Sequence, residues 1–178
     1  MRPGCVLLDR DGVINEDADS YILSIAAWRP IAGSLEAIAR LTRVGIPVAV
    51  CTNQSAIARG MLSSEGLAAI HQHMRAAVIA AGGGALAGIF SCPHGPDAGC
   101  DCRKPAPGLV HQALRQLDCQ ARTAVLIGDS QRDIDAAAAA GVPAWLVRTG
   151  NGRQTESQQG DAIPVYDDLA AAVDALLA

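Results

Sequence analysis

Two aspartates one residue apart, Asp9 and Asp11, follow directly on the apolar run Cys5 to Leu8. In extended backbone, residues i and i+2 point the same way, so both carboxylates address one region. Carboxylates held together raise each other's pKa unless a cation neutralises them. A hard divalent ion does this, and Mg²⁺ commonly takes one or two carboxylates, waters and a substrate phosphate. Asp129 adds a third carboxylate after a separate apolar run, Ala124 to Ile127, while Thr52 adds a hydroxyl and Lys104 a positive charge. Taken singly, D-x-D-G is more often a solvated turn, Thr52 a strand-end cap and Lys104 a surface lysine. The reading rests on the set.

A second cluster falls within eleven residues: Cys92-Pro93-His94, then Cys100-Asp101-Cys102. Three thiolates and an imidazole complete a tetrahedral Zn²⁺ site with no open position, which makes it structural rather than catalytic. Such an ion would staple the loop 92–102. Chance cysteine pairs in a reducing compartment, or a disulfide, are the alternatives. Cys5, Cys51 and Cys119 lie in or near core elements and suit small buried hydrophobes. His71, His73 and His111 fall on helical patterns, as surface or interhelix residues.

The elements that must position these groups alternate. Strands are expected at Cys5–Leu8, Pro47–Cys51, Gly88–Ser91, Ala124–Ile127 and Ala144–Val147. Helices are expected at Leu35–Val44 with Ser34 as N-cap, Ser64–Ala81, Pro107–Leu117, Ile134–Ala140 and Asp168–Leu177. Pro93–Pro105 and the polar Gly150–Gly160 are expected as loops. The strands are apolar throughout rather than on alternate residues, which predicts an α/β fold: a Rossmann-like parallel sheet flanked by helices. Ligands in such sheets bind beyond the carboxyl ends of the strands. Asp9 to Gly12, Thr52 to Ser55, the Cys92–Lys104 loop and Gly128 to Asp133 all fall at that edge. Asp133 is expected one helical turn from Asp129, either reaching the metal through water or holding Lys104; Asp135 is expected in solvent.

LDRDGVIN, TNQS, RKP and GDSQRD, in this order and at strand ends, resemble the four motifs of the haloacid dehalogenase superfamily of phosphatases. The resemblance spans nearly the whole chain. It implies Asp9 as nucleophile and Asp11 as general acid and then base. For Mg²⁺ it implies the Asp9 and Asp129 carboxylates with the Asp11 backbone carbonyl. Thr52 and the Asn53 backbone would hold the phosphoryl oxygens and Lys104 its charge. The segment CPHGPDAGCDCRKPAPG is similar to the zinc loop of the heptose bisphosphate phosphatases and related histidinol phosphatases, where it replaces a large cap domain. TNQSAIARG resembles TNQSGIARG of the former, with Ala56 in place of Gly. Asn53, Gln54, Ser55 and Arg103 are the implied substrate-binding residues, and the Arg103 fork suits a second, non-reacting phosphate. Asp17 to Tyr21 would reach sugar hydroxyls; Arg59 suits an ion pair beside a helix, and Arg148 a peripheral role. The implied reaction removes the C7 phosphate of a D-glycero-D-manno-heptose 1,7-bisphosphate, with histidinol phosphate as the rival substrate.

Composition narrows the classes further. At 178 residues the chain suits one phosphatase domain, 1–178, carrying the zinc loop 92–102. The net charge of −4 and 3% aromatic residues disfavour a nucleic-acid partner, and with it a nucleic-acid 3′-phosphatase. No apolar run approaches a membrane span of roughly 18 residues. A cytoplasmic monomer acting on a small sugar bisphosphate is the expectation.

Overall fold

The computed structural model describes residues 2–17, 21–159 and 162–178. Six parallel strands form one sheet in the order β3-β2-β1-β4-β5-β6: β1 is Cys5–Leu8, β2 Val48–Asn53, β3 Gly88–Cys92, β4 Ala124–Gly128, β5 Ala144–Val147 and β6 Val165–Tyr166. Every side chain of β1 is buried because both sheet faces are covered. Val6 and Leu8 pack on one face beneath α1 (Ser34–Arg43), α2 (Ser64–Ala80) and α6 (Leu169–Leu177). Cys5 and Leu7 pack on the other beneath α3 (Gly108–Gln116) and α4 (Gln131–Ala139). This is the α/β architecture expected, and the connections after β1 and β3 carry no large cap domain among the described residues.

The chain runs from β1 outward to β3, then returns to the other side of β1 through β4, so the topological switch point lies at β1. Leu8 is in register with Val50 of β2 and Ile127 of β4. Asp9, Thr52 and Asp129 therefore emerge at one edge of the sheet, where parallel α/β folds bind ligands.

Four local expectations are corrected. Residues 152–159 form a helix, α5 (Gly152–Gln159), rather than part of a loop. The segment has no apolar stripe for a periodicity argument to find; the Thr155 hydroxyl donates to the Asp129 carbonyl (2.9 Å) and Glu156 pairs with Arg148 (2.6 Å). Gly160, the end of the expected loop, lies outside the described residues. The two-residue β6 was too short to register as a run. Ser34 is the first residue of α1, not its cap, and its hydroxyl donates to the Val13 carbonyl. The helix α4 begins three residues before Ile134, because the Ser130 amide and hydroxyl both donate to Asp133 Oδ2 and close a capping box. Among the described residues no helix is long and apolar enough to cross a membrane.

Candidate active site

A cavity of about 460 Å³ opens at the carboxyl edge of the sheet, and Asp9, Asp11, Thr52, Asn53, Gln54, Ser55, Arg103, Lys104 and Asp129 all line it. Residues from four separate stretches of sequence thus meet at one place. Lys104 arrives from the loop after β3. Asn53 fixes it there from both sides: its Nδ2 donates to the Lys104 carbonyl (2.9 Å) and its Oδ1 accepts from the Lys104 amide (3.0 Å).

Lys104 is buried, with Nζ 2.9 Å from Asp9 Oδ1 and 2.5 Å from Asp133 Oδ1. Burial pulls its pKa down, but the two carboxylates outweigh burial and hold it well above the ordinary lysine range. Asp133 uses Oδ1 on Lys104 and Oδ2 on Ser130. Burial pushes its carboxyl up, yet Lys104 and the Ser130 donors outweigh that and leave it below the ordinary range. Of the two roles weighed for Asp133, this geometry matches the one that holds Lys104.

One lysine does not neutralise the cluster. Burial pushes the Asp9 carboxyl up to about 8, with Asp133 adding to the effect and Lys104 opposing it. Burial, followed by the charge on Asp133, pushes Asp129 to about 6. Carboxylate oxygens of Asp9, Asp129 and Asp133 lie within 4.8 Å of one another. Such an oxygen donor set with excess negative charge fits a hard divalent cation. Asp129 is oriented for it: Oδ2 accepts from the Asn151 amide (2.8 Å) and its Nδ2 (3.2 Å), leaving Oδ1 to the cavity. Gly12 and Gly150 have positive φ, and a Cβ on either would collide with this same Oδ2; their absence of side chains lets two backbones close around Asp129.

The Asp11 carboxylate turns away from this cluster. Its two oxygens accept from Arg10 Nε and NH2, Asn15 Nδ2 and Gln54 Nε2 at 2.9–3.0 Å. Gln54 Nε2 also donates to Thr52 Oγ1 (2.9 Å), so the amide nitrogen is engaged with the protein while the residue lines the cavity. Ser55 Oγ lies 3.4 Å from the Tyr21 hydroxyl. Arg59 stacks over the Tyr21 ring at 5.8 Å and joins no ion pair among the described residues. Of the Asp17–Tyr21 segment, positions 18–20 lie outside the described residues, while Asp17 and Tyr21 line the cavity.

Sγ of Cys92, Cys100 and Cys102 and Nδ1 of His94 come together beside this cavity. Cys92 Sγ lies 3.7 Å from Cys100 Sγ, 3.2 Å from Cys102 Sγ and 3.5 Å from His94 Nδ1. Four ligands placed tetrahedrally around Zn²⁺ at ~2.3 Å would be separated by roughly 3.7 Å, so the spacing fits the ion. Burial and the neighbouring thiols push Cys102 up to about 12, a crowding that a bound cation relieves. Arg103, next in sequence, lines the cavity and donates to the His94 carbonyl (3.2 Å). The loop thereby sets both Arg103 and Lys104.

Arg148 is peripheral as expected, pairing with Glu156 and Asp167. Ala56 is buried without positive φ. Asp135 accepts from Gln131 Nε2 at the surface (2.8 Å). Cys5 and Cys51 are buried and Cys119 half-buried, and His73 packs edge-on against Trp28. Sequence reasoning passed over Asn15, Arg132 and Asn151, named Arg10 only by its place at the strand end, and read His71 as a surface or interhelix residue. Arg10 carried a signal, being a cation between two catalytic-type aspartates. The others depend on contacts between distant segments.

The HAD-hydrolase-like family model matches residues 101–172. A D-glycero-beta-D-manno-heptose-1,7-bisphosphate 7-phosphatase of Bordetella bronchiseptica is 48% identical over 174 residues, covering 97% of each chain. The enzyme of that name from Pseudomonas aeruginosa is 45% identical over 99% of each. The crystal structure of the B. bronchiseptica D,D-heptose 1,7-bisphosphate phosphatase with magnesium and phosphate superimposes with a TM-score of 0.93 at 47% identity, covering 97% of each chain. That of Burkholderia thailandensis gives 0.74 at 35%, over 98% of each. The chain belongs to the heptose-1,7-bisphosphate 7-phosphatase family of haloacid dehalogenase-like phosphatases.

Proposed function

We propose that the enzyme removes the C7 phosphate of D-glycero-β-D-manno-heptose 1,7-bisphosphate, leaving the 1-phosphate, through an aspartyl-phosphate on Asp9. The observation that carries this is the meeting of Asp9, Thr52, Lys104 and Asp129 in one cavity whose rim holds Arg59, Arg103 and Arg132.

An Asp9 oxygen attacks phosphorus as the bond to the C7 oxygen breaks, and Asp11 gives a proton to the departing alkoxide. Asp11 then takes a proton from water as the water oxygen attacks phosphorus. The bond between phosphorus and Asp9 opens and inorganic phosphate leaves. Lys104 neutralises charge on the transferring group, and the Thr52 hydroxyl and Asn53 amide hold its oxygens; a positioned donor of this kind is worth about 3 kcal/mol of barrier. Mg²⁺, held by Asp9 and Asp129 with the Asp11 backbone carbonyl, would screen the carboxylates from the incoming phosphate when bound. Zn²⁺ on Cys92, His94, Cys100 and Cys102 would hold the loop that carries Arg103 and Lys104.

The arginines favour a substrate with a second anionic group. Histidinol phosphate would bring a cationic amine to the same rim, where like charges repel. The test is phosphate release with Mg²⁺ from the β-bisphosphate and from histidinol phosphate, with ³¹P NMR to identify which phosphate leaves. A higher kcat/KM for the bisphosphate and loss of the C7 resonance are expected; preference for histidinol phosphate overturns the substrate reading. We read residues 1–178 as one catalytic domain acting as a cytoplasmic monomer, a compartment that suits six free cysteines.

A further inference from the structure

Arg10 is the largest side chain wholly removed from solvent. A buried guanidinium is costly unless paired and fully hydrogen-bonded. Its charge partner is Asp11: Nε reaches Oδ1 at 2.9 Å, and NH2 lies 2.8 Å from Oδ1 and 3.0 Å from Oδ2, so the guanidinium edge engages both oxygens. The remaining arm, NH1, lies 3.3 Å from Nε2 of His71 on α2. Burial first, and then the Arg10 charge, drives the His71 pKa down to about 4. The imidazole is therefore neutral in the physiological range, and Nε2 is the acceptor for NH1.

Two further donors reach the same carboxylate from behind. Asn15 Nδ2 donates to Oδ1 while its own Oδ1 accepts from Trp28 Nε1 (2.9 Å), and Gln54 Nε2 donates to Oδ2. The Asp11 side chain retains 25% exposure and lines the cavity. Rotation of the carboxylate about its own bonds would break the fork.

We propose that Arg10, braced by His71, is a positioning residue that fixes the plane and direction of the Asp11 carboxylate for proton transfer to the leaving alkoxide and from the hydrolytic water. This rests on the acid/base role assigned to Asp11 above. A planar fork holds two oxygens in one orientation; a lysine at the same place keeps the charge but presents a point donor that leaves the carboxylate free to turn. Proton transfer depends steeply on that orientation, and a positioned general acid contributes about 10²–10⁴-fold. His71 fixes the third arm, so that the guanidinium cannot rotate about its own axis.

The test separates proton transfer from folding by varying the leaving group. Phosphoenzyme formation is followed by rapid quench with the heptose bisphosphate, whose alkoxide must be protonated, and with p-nitrophenyl phosphate, whose phenolate leaves unprotonated. Arg10→Lys is expected to slow the sugar substrate by about 10-fold or more beyond its effect on the aryl substrate, with KM nearly unchanged. His71→Gln, which keeps an acceptor, should remain within a few-fold of wild type. His71→Leu, which removes it, should reproduce the leaving-group dependence and supplies the answer if Arg10→Lys does not fold. Equal losses on both substrates in the folded variants overturn the proposal. Asp11→Asn is the control. If it shows no leaving-group dependence, the acid role of Asp11 fails; if it does and Arg10→Lys and His71→Leu do not, the positioning role alone fails.

Discussion

Removing the nucleophile should stabilise the metal-free protein. The Asp9 carboxyl has an ordinary pKa of 3.8 and one of about 8 in the fold, raised first by burial and then by Asp133. An acid with a raised folded pKa binds its proton in the folded state where the unfolded chain has released it, so stability falls as pH rises from 3.8 towards 8. At pH 7, about three units above the unfolded value, this costs on the order of 4 kcal/mol; at pH 5 it costs on the order of 1–2 kcal/mol. Asp9→Asn removes the titration while keeping the contacts, because the amide oxygen still accepts from the Arg10 amide (2.7 Å) and faces Lys104 Nζ (2.9 Å). The variant should therefore melt ~8–16 °C above wild type at pH 7 and only ~3–6 °C above it at pH 5, at 2–4 °C per kcal/mol for a chain of this size. Everything else that titrates is common to both proteins and largely cancels. The assay is thermal unfolding of the zinc-loaded proteins in Mg²⁺-free buffer, pH 5 to 8. Mg²⁺ at a hundred times its Kd adds about 2.7 kcal/mol to the wild type and should close most of the gap, while the variant gains little. A variant less stable than wild type at pH 7, or a Tm difference that does not widen with pH, would refute the electrostatic account of this cluster. Turnover should be abolished in either case, an instance of an active site held together against its own repulsion.

Lys104→Met should lower kcat by about 10²–10³-fold, measured by phosphate release, and should lower the Mg²⁺ concentration needed for half-maximal rate, because Asp9 and Asp133 lose the ammonium between them and leave more negative charge for the ion. Arg103→Ala should raise KM for the bisphosphate while leaving the KM for p-nitrophenyl phosphate unchanged, since that substrate has no second phosphate to bind; steady-state kinetics on both substrates decides. Cys102→Ser should reduce bound zinc, read by elemental mass spectrometry, and loosen residues 92–105 in hydrogen exchange, with activity lost through displacement of Lys104. Full activity at zero zinc would show that the loop holds its shape without the ion.

The sequence by itself determined five of the six strands and which of their carboxyl ends carry the residues that line the cavity. Runs such as Cys5–Leu8 and Ala124–Ile127 are apolar on both sides of the pleat because helices cover both faces, and that pattern is visible without coordinates. The candidate catalytic side chains fall at strand ends, since the carboxyl edge is where a parallel sheet leaves backbone and side chains open to a ligand. The zinc loop was legible because its four ligands are close in sequence. Tertiary structure alone decided the roles of groups that act through distant partners. Asp133 became the anchor of Lys104, and Gln54 a brace for Asp11, because their partners lie 29 and 43 residues away. The helix 152–159 was invisible because it has no apolar face, and contacts with Asp129 and Arg148 contribute to its place. Arg10 shows the division most clearly. Its sequence neighbours name the carboxylate it pairs with, but its complete burial against His71, 61 residues on, follows only from how α2 packs over β1. Local sequence sets which groups a strand end presents; the packing of distant elements sets which of them are desolvated, and desolvation decides their charge and their work.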